Sequence, residues 1–193
     1  FNNCSISCNL FCEKVYSLIE SNLKKIEKNV DDTLRTITFL LGVMYSKAPQ
    51  NKFLIENIEK SIFIIQYSFE RSETMGKDNS IAAACKIITG LKLSPENKFL
   101  EILIQLISQY IPLKNDFVEN IAALEVWIHI DQFMDISNPV YNKFLISIFE
   151  TLKFLATRKS SEMNQINQIK NIKMIKTSLI SLKSSNYLSE YLN

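Results

Sequence analysis

The sequence predicts an all-α protein built as a stack of helix pairs, and three observations carry that reading. A four-residue motif recurs at near-constant spacing, the apolar residues behind each copy fall at helical intervals, and glycine and proline are scarce. The motif copies are Asn51-Lys52-Phe53-Leu54, Asn97-Lys98-Phe99-Leu100 and Asn142-Lys143-Phe144-Leu145, spaced by 46 and 45 residues. Each follows a proline (Pro49, Pro95, Pro139) by two or three residues, and a weaker copy, Asn9-Leu10-Phe11-Cys12, lies 42 residues before the first. A period of this length belongs to two-helix repeat units. With only 3 Gly and 4 Pro in 193 residues, few β-turns can be made.

With the motif Asn counted as zero, Leu54, Leu100 and Leu145 occupy +3, and Ile58, Ile104 and Phe149 occupy +7. Ser61, Ile107 and Leu152 follow at +10, then Ile65, Ile111 and Ala156 at +14. Steps of four, three and four place these on one side of an α-helix. Lys52, Lys98 and Lys143 at +1 fall on the opposite side, as do Glu59, Gln105 and Glu150 at +8. The prolines suit the first turn of these helices, with Ser94 and Asn138 as N-caps and Ala48 as a poor one.

Taken in order, the chain opens with a helix over about 9–28, with Phe11, Val15, Leu18, Ile19 and Leu23 inward, and a turn at Asn29-Val30-Asp31-Asp32. Residues 33–46 form a first A helix, apolar almost all round from Ile37 to Tyr45 and so buried; Gly42 within it marks close helix approach. The first full B helix spans about 50–71. Residues 72–80, rich in polar side chains around Gly76, read as the longest and most mobile loop. A short second A helix over 81–91 ends near Gly90, and its Ala82-Ala83-Ala84 invites tight packing. The second B helix covers about 95–110, the third A helix 116–135 and the third B helix 139–158. A polar helix over 163–182 closes the chain, with Ile166, Ile169, Ile172, Ile175 and Leu179 at helical spacing. The repeats are thus about 9–46, 50–91, 95–135 and 139–183 in one domain of about eight helices, 1–193. Phe1 is not an initiator Met, so a fragment of a longer chain is expected.

Paired helices repeating at this period resemble a HEAT- or armadillo-type α-solenoid. The resemblance is architectural, covers about residues 9–158 and implies a right-handed stack of antiparallel helix pairs. A compact helical bundle around one central helix is the competing architecture, and the 45-residue period argues against it.

Composition leaves few openings for chemistry. A net charge of +2 implies neither nucleic acid nor an acidic membrane, and no apolar run approaches the roughly 18–20 residues of a membrane span. Cys4, Cys8 and Cys12 recur at four-residue steps, a poor disulfide geometry on a helix, and with Cys85 they read as reduced thiols. A zinc site lacks a fourth ligand at suitable spacing. Asn3-Cys4-Ser5 matches the glycosylation pattern without a secretory signal beside it. The single histidine, His129, has Glu125 one turn before it and Asp131 nearby, an arrangement that gives a surface ion pair more readily than a catalytic or metal site. Trp127, the single tryptophan, is either core or, if exposed, a binding anchor. No phosphate loop, nucleophile elbow or CxxC pair occurs, so no enzyme and no cofactor is expected.

Two surfaces remain. If the B helices stack, Lys52, Lys98 and Lys143 line up, as do Glu59, Gln105 and Glu150, and together they form a mixed-charge groove suited to a protein or peptide; an ordinary solvated face is the simpler account. From residue 158 to 183, Arg158, Lys159, Lys170, Lys173, Lys176 and Lys183 face Glu162 alone, a basic segment able to meet nucleic acid or an acidic partner. The expected function is a non-enzymatic protein–protein interaction scaffold, nuclear or cytoplasmic and not membrane-bound. The alternative is a nucleic-acid-associated helical domain, resembling the middle domains of translation and RNA-decay factors, that uses Lys170, Lys173 and Lys176.

Overall fold

The computed structural model describes residues 2–23, 30–135 and 137–157. Over that portion the chain forms α1 Asn2–Leu23, α2 Val30–Lys47, α3 Lys52–Glu56, α4 Ile58–Arg71, α5 Thr74–Leu91, α6 Lys98–Ser108, α7 Asn120–Ile130 and α8 Pro139–Thr157, with a 3-10 turn at Phe117–Glu119. No strand occurs among the described residues. The expected closing helix over 163–182 lies outside them. α2 packs along α5 and α5 on α7, while α4 touches α6 and α6 packs on α8; α4 and α6 also flank α5, and α1 lies against α3 and α2.

The repeated stripe is buried. At +3, Leu54, Leu100 and Leu145 are all in the core, as are Ser61, Ile107 and Leu152 at +10. At +7 Ile104 is buried, while Ile58 and Phe149 are half-buried at its edge. The motif Phe also varies: Phe144 is buried and Phe53 and Phe99 are half-buried.

The caps differ from the expected pattern. In the first two copies the motif Asn itself caps the helix: Asn51 Oδ1 accepts from the Leu54 N–H at 3.3 Å and Asn97 Oδ1 from the Phe99 N–H at 2.9 Å. Pro49 and Pro95 therefore lie in the turn before the helix. Only the third copy follows expectation, with Pro139 as first helical residue and Asn138 Oδ1 accepting from the Val140 N–H at 2.9 Å.

The first B helix is broken at Asn57 into α3 and α4. Buried tyrosines fill the break. The Tyr45 hydroxyl donates to the Leu54 carbonyl at 2.9 Å and lies 2.8 Å from Ser61 Oγ, and the Tyr16 hydroxyl reaches the Asn57 carbonyl at 3.4 Å. A hydroxyl inserted into the backbone ladder is a recognised cause of helix bending. Burial pushes both tyrosines above their ordinary pKa, so both stay neutral donors.

α1 buries a different face from the one its hydrophobicity suggests. Cys12, Tyr16 and Ile19 are buried, Val15 and Leu23 are half-buried, and Phe11 and Leu18 are 61% and 63% exposed. Tyr16 wins the inward position because its ring packs edge-on against Phe53, 5.2 Å away, and its hydroxyl finds the Asn57 carbonyl. In α2, Ile37, Leu41, Met44 and Tyr45 are buried as expected, but Phe39 is exposed.

The segment read as a mobile loop is instead the first two turns of α5. Three of its polar residues, Ser72, Asp78 and Ser80, are buried. Asp78 Oδ2 accepts from the N–H groups of Asn115 and Asp116 at 3.0 and 2.7 Å. Ser80 Oγ lies 2.8 Å from the Gly76 carbonyl and 3.1 Å from Ser68 Oγ. The helix start is capped from another element, with Asp31 Oδ1 accepting from the Glu73 N–H at 2.8 Å. At its far end α5 runs past Gly90 and stops at Lys92, which adopts a left-handed φ of 50°, and the Leu93 N–H returns to the Ile88 carbonyl at 3.1 Å. Gly90 serves packing: a Cβ there would lie 2.4 Å from the Tyr45 carbonyl oxygen. Gly42 marks the expected close approach, since its Cβ would lie 3.3 Å from the Ala83 Cα. The third A helix is shorter than expected, a 3-10 turn followed by α7.

Leu100→Ala removes a large buried side chain and is expected to cost about 2–5 kcal/mol, whereas Lys98→Ala on the exposed face costs under ~0.5 kcal/mol. Equal shifts in the urea midpoint would mean the faces are wrongly assigned. Tyr45→Phe keeps the ring but orphans the Leu54 carbonyl, and a loss of about 1–3 kcal/mol in urea unfolding is expected. An unchanged midpoint would remove the hydroxyl from the account of the break.

Candidate functional site

The helices that carry the buried stripe turn a repeated set of side chains outward. Lys52, Lys98 and Lys143 are exposed, and so are Glu59, Gln105 and Glu150. The arrangement is oblique. Lys98 Nζ, at +1 of the second copy, lies 3.7 Å from Glu59 Oε2, at +8 of the first. Asn138, four residues before the third motif, donates from Nδ2 to Glu101 Oε1 at 2.8 Å, and Ser147 Oγ (+5) donates to the Ser108 carbonyl (+11) at 3.0 Å. Each copy thus begins beside the middle of the preceding one, a slide of six to eight residues, or about 10 Å of helix. Lys98 thus meets a carboxylate of the neighbouring copy and Lys52 one of its own helix, Glu56 at 3.6 Å, while Glu150 pairs with Lys153 at 2.8 Å. These pairs are surface-exposed and exchangeable, each worth under about 1 kcal/mol. Lys170, Lys173 and Lys176 lie outside the described residues.

Apolar side chains lie among these charges and were missed in the sequence. Ile55, Ile102 and Ile146 are 47%, 39% and 42% exposed, and Phe63 is 64% exposed. They occupy +4, +5, +4 and +12, off the buried stripe, and that displacement was the available signal. Phe63 stacks on Tyr67, whose other neighbour is the Arg71 guanidinium 4.7 Å from the ring centroid. Between α4 and α6 lies a cleft of about 270 Å³ lined by Gln66, Phe69, Glu70, Ile102, Gln105, Leu106 and Gln109. A second cleft, about 480 Å³, lies beside Ile111, Pro112, Ile146, Glu150 and Phe154.

His129 is tied into the fold. Its Nε2–H donates to the Leu93 carbonyl at 2.9 Å and its ring meets Phe133 edge-on at 5.6 Å, so it holds the connection that leaves α5. Trp127 is fully buried and therefore core. Cys12 and Cys85 are buried thiols, with Cys12 Sγ accepting from Asn51 Nδ2 at 3.4 Å, and burial pushes the Cys85 thiol well above its ordinary pKa. Among the described residues no group of three or more His, Cys, Asp or Glu could hold a metal ion, and no helix is long and apolar enough to cross a membrane.

A polar cluster lies at the end of the chain leading to α7. Asp78, Asp116 and Glu119 converge there, with Lys86 pairing to Glu119 at 2.7 Å. Burial first, then the charges of Glu119 and Asp78, push Asp116 above its ordinary value of 3.8. The Tyr110 hydroxyl, 3.2 Å from the Thr74 carbonyl, is pushed up to about 12 by burial and by Asp78. This cluster anchors residues 115–116 to α5, and the pocket beside Lys86, Asp116 and Glu119 holds only about 20 Å³.

No protein-family model, curated protein or solved structure matches this chain.

Because the fold favours the neutral form of Asp116, stability contributed by that form is lost as pH rises from the ordinary value through the raised one. Asp116→Asn is therefore expected to raise the thermal midpoint at neutral pH relative to wild type, with the gain vanishing below about pH 3.8. A gain of the same size at both pH values would mean that charge is not its origin.

Proposed function

We propose that the chain is a non-enzymatic helical-repeat scaffold that binds a protein partner through the outward face of its motif-bearing helices, in a nuclear or cytoplasmic setting. The observation that carries this is the repeated outward set of lysine at +1, isoleucine at +4 or +5 and glutamate or glutamine at +8, on helices whose opposite side is buried. Packing between elements one repeat apart, α2 to α5 to α7 and α4 to α6 to α8, supports a stack of helix pairs like that of HEAT or armadillo proteins. A buried α5 alone would suit a compact bundle equally well. Such a stack offers an extended face on which a few apolar anchors supply most of the affinity and charges set the choice of partner.

Reversing charge at Lys52, Lys98 and Lys143 together is expected to weaken retention of the partner in pull-downs at least tenfold, with the thermal midpoint moved by only a few degrees. His129→Ala is expected to leave retention unchanged and to cost about 1 kcal/mol of stability through the lost hydrogen bond to Leu93. Retention lost with His129→Ala but kept in the triple variant would overturn the proposal. Salt-sensitive binding of generic RNA or DNA in place of protein would favour a nucleic-acid-associated role through the lysines of 158–183.

A further inference from the structure

We propose that the cleft between α4 and α6 receives an extended segment of the partner bearing alternating apolar and basic side chains. This rests on the scaffold reading and names the partner's chemistry at one part of that face. The seat is apolar: Leu106 is buried, Phe69 half-buried and Ile102 exposed, so a side chain laid there covers surface that water now meets. The rim is polar, formed by Gln66, Gln105, Gln109 and Glu70. None of these four side chains has a hydrogen bond or ion pair among the described residues.

That rim selects for backbone conformation. A carboxamide presents both a donor and an acceptor, the complement of a peptide group. A helical partner has already paired its backbone groups internally, whereas an extended one leaves them open. Three carboxamides around one apolar seat therefore favour an extended chain. From Ile102 to Gln109 the helix runs about 10 Å, the length of about three extended residues.

Charge then selects the side chains. Glu70 is the only ionised group in the lining. None of the neighbouring cations pairs with it: Arg71 lies over the Tyr67 ring at 4.7 Å, Lys77 over the Phe69 ring at 5.6 Å and Lys98 beside Glu59 at 3.7 Å. The Glu70 carboxylate is thus left without an ion-pair partner among the described residues, and the partner supplies one. In an extended chain alternate side chains face opposite ways, so an apolar residue entering the seat places its neighbours at the rim, where a lysine or arginine reaches Glu70.

The test uses the full chain and two blocked, fluorescently labelled heptapeptides, one alternating leucine with lysine and the other leucine with glutamate. The lysine peptide is expected to bind at least tenfold more tightly, Glu70→Lys to reverse that order, and Ile102→Asp to weaken both peptides with thermal midpoints near wild type. Equal binding of the two peptides, an order unchanged by Glu70→Lys, or binding indifferent to Ile102→Asp would overturn the proposal. Tighter binding of a helix-stabilised version of the lysine peptide would overturn the extended conformation. A wild-type dimer in sedimentation that Ile102→Asp dissociates would assign the cleft to a second copy and also overturn it. If Glu70→Lys is silent while the triple lysine variant still loses its partner, this inference fails and the scaffold reading stands; if neither affects any binding, both fail.

Discussion

Close approach between α2 and α5 is the constraint on which the remaining packing depends. α5 carries buried residues on nearly every side, from Gly76 through Ile88, and lies against α2, α4, α6 and α7. Such an element can be surrounded only if its neighbours come near, and Ala82, Ala83, Ala84 and Gly90 permit it. The missing Cβ at Gly90 lets the backbone of α5 reach the Tyr45 carbonyl. That contact fixes Tyr45, and its hydroxyl in turn occupies the break between α3 and α4. A packing requirement in the A helices thereby shapes the first motif-bearing helix.

Polar side chains do comparable work at the connections. Asn120 accepts from the Leu113 N–H at 2.8 Å and donates to the carbonyls of Leu113 and Phe117 at 2.9 and 3.0 Å, so one buried carboxamide satisfies the irregular chain before α7. Asp78 does the same for residues 115 and 116, and His129 for Leu93. These groups are costly to bury unpaired and cheap once paired, which is why they concentrate where the backbone leaves its helices. His129 acts by that logic, as a strut between the end of α5 and α7.

What the sequence made legible follows the same division. The stripe of Leu54, Leu100 and Leu145 was readable because repetition shows a periodicity three times, and the exposure of the +1 lysines follows from it. The helical start of α5 was not readable: Gly76, Asp78 and Ser80 have turn-forming chemistry, and only Asp31, Ser68 and the amides of 115–116, distant in sequence, make them helical and buried. α1 was misread for a related reason, because Phe11 and Leu18 outrank Tyr16 in hydrophobicity but have no partner to match Phe53 and Asn57. The slide between successive copies was likewise hidden. It is set by contacts such as Ser147 to Ser108, which no spacing within a single repeat encodes.

That slide changes what the outward face presents. Side-by-side copies would give separate rows of lysine and glutamate, a surface of alternating sign across its width. With each copy displaced, Lys98 meets Glu59 of the adjacent copy, while Lys52 and Glu150 pair within their own helices. The apolar positions Ile55, Phe63, Ile102 and Ile146 are then the unspent feature of the face. A single exposed isoleucine is ordinary on a protein surface. Three at nearly equivalent positions, on helices already anchored by their buried stripes, are not required by folding. If this face binds a partner as proposed, charge governs which partner approaches and how fast, and the isoleucines govern how firmly it stays.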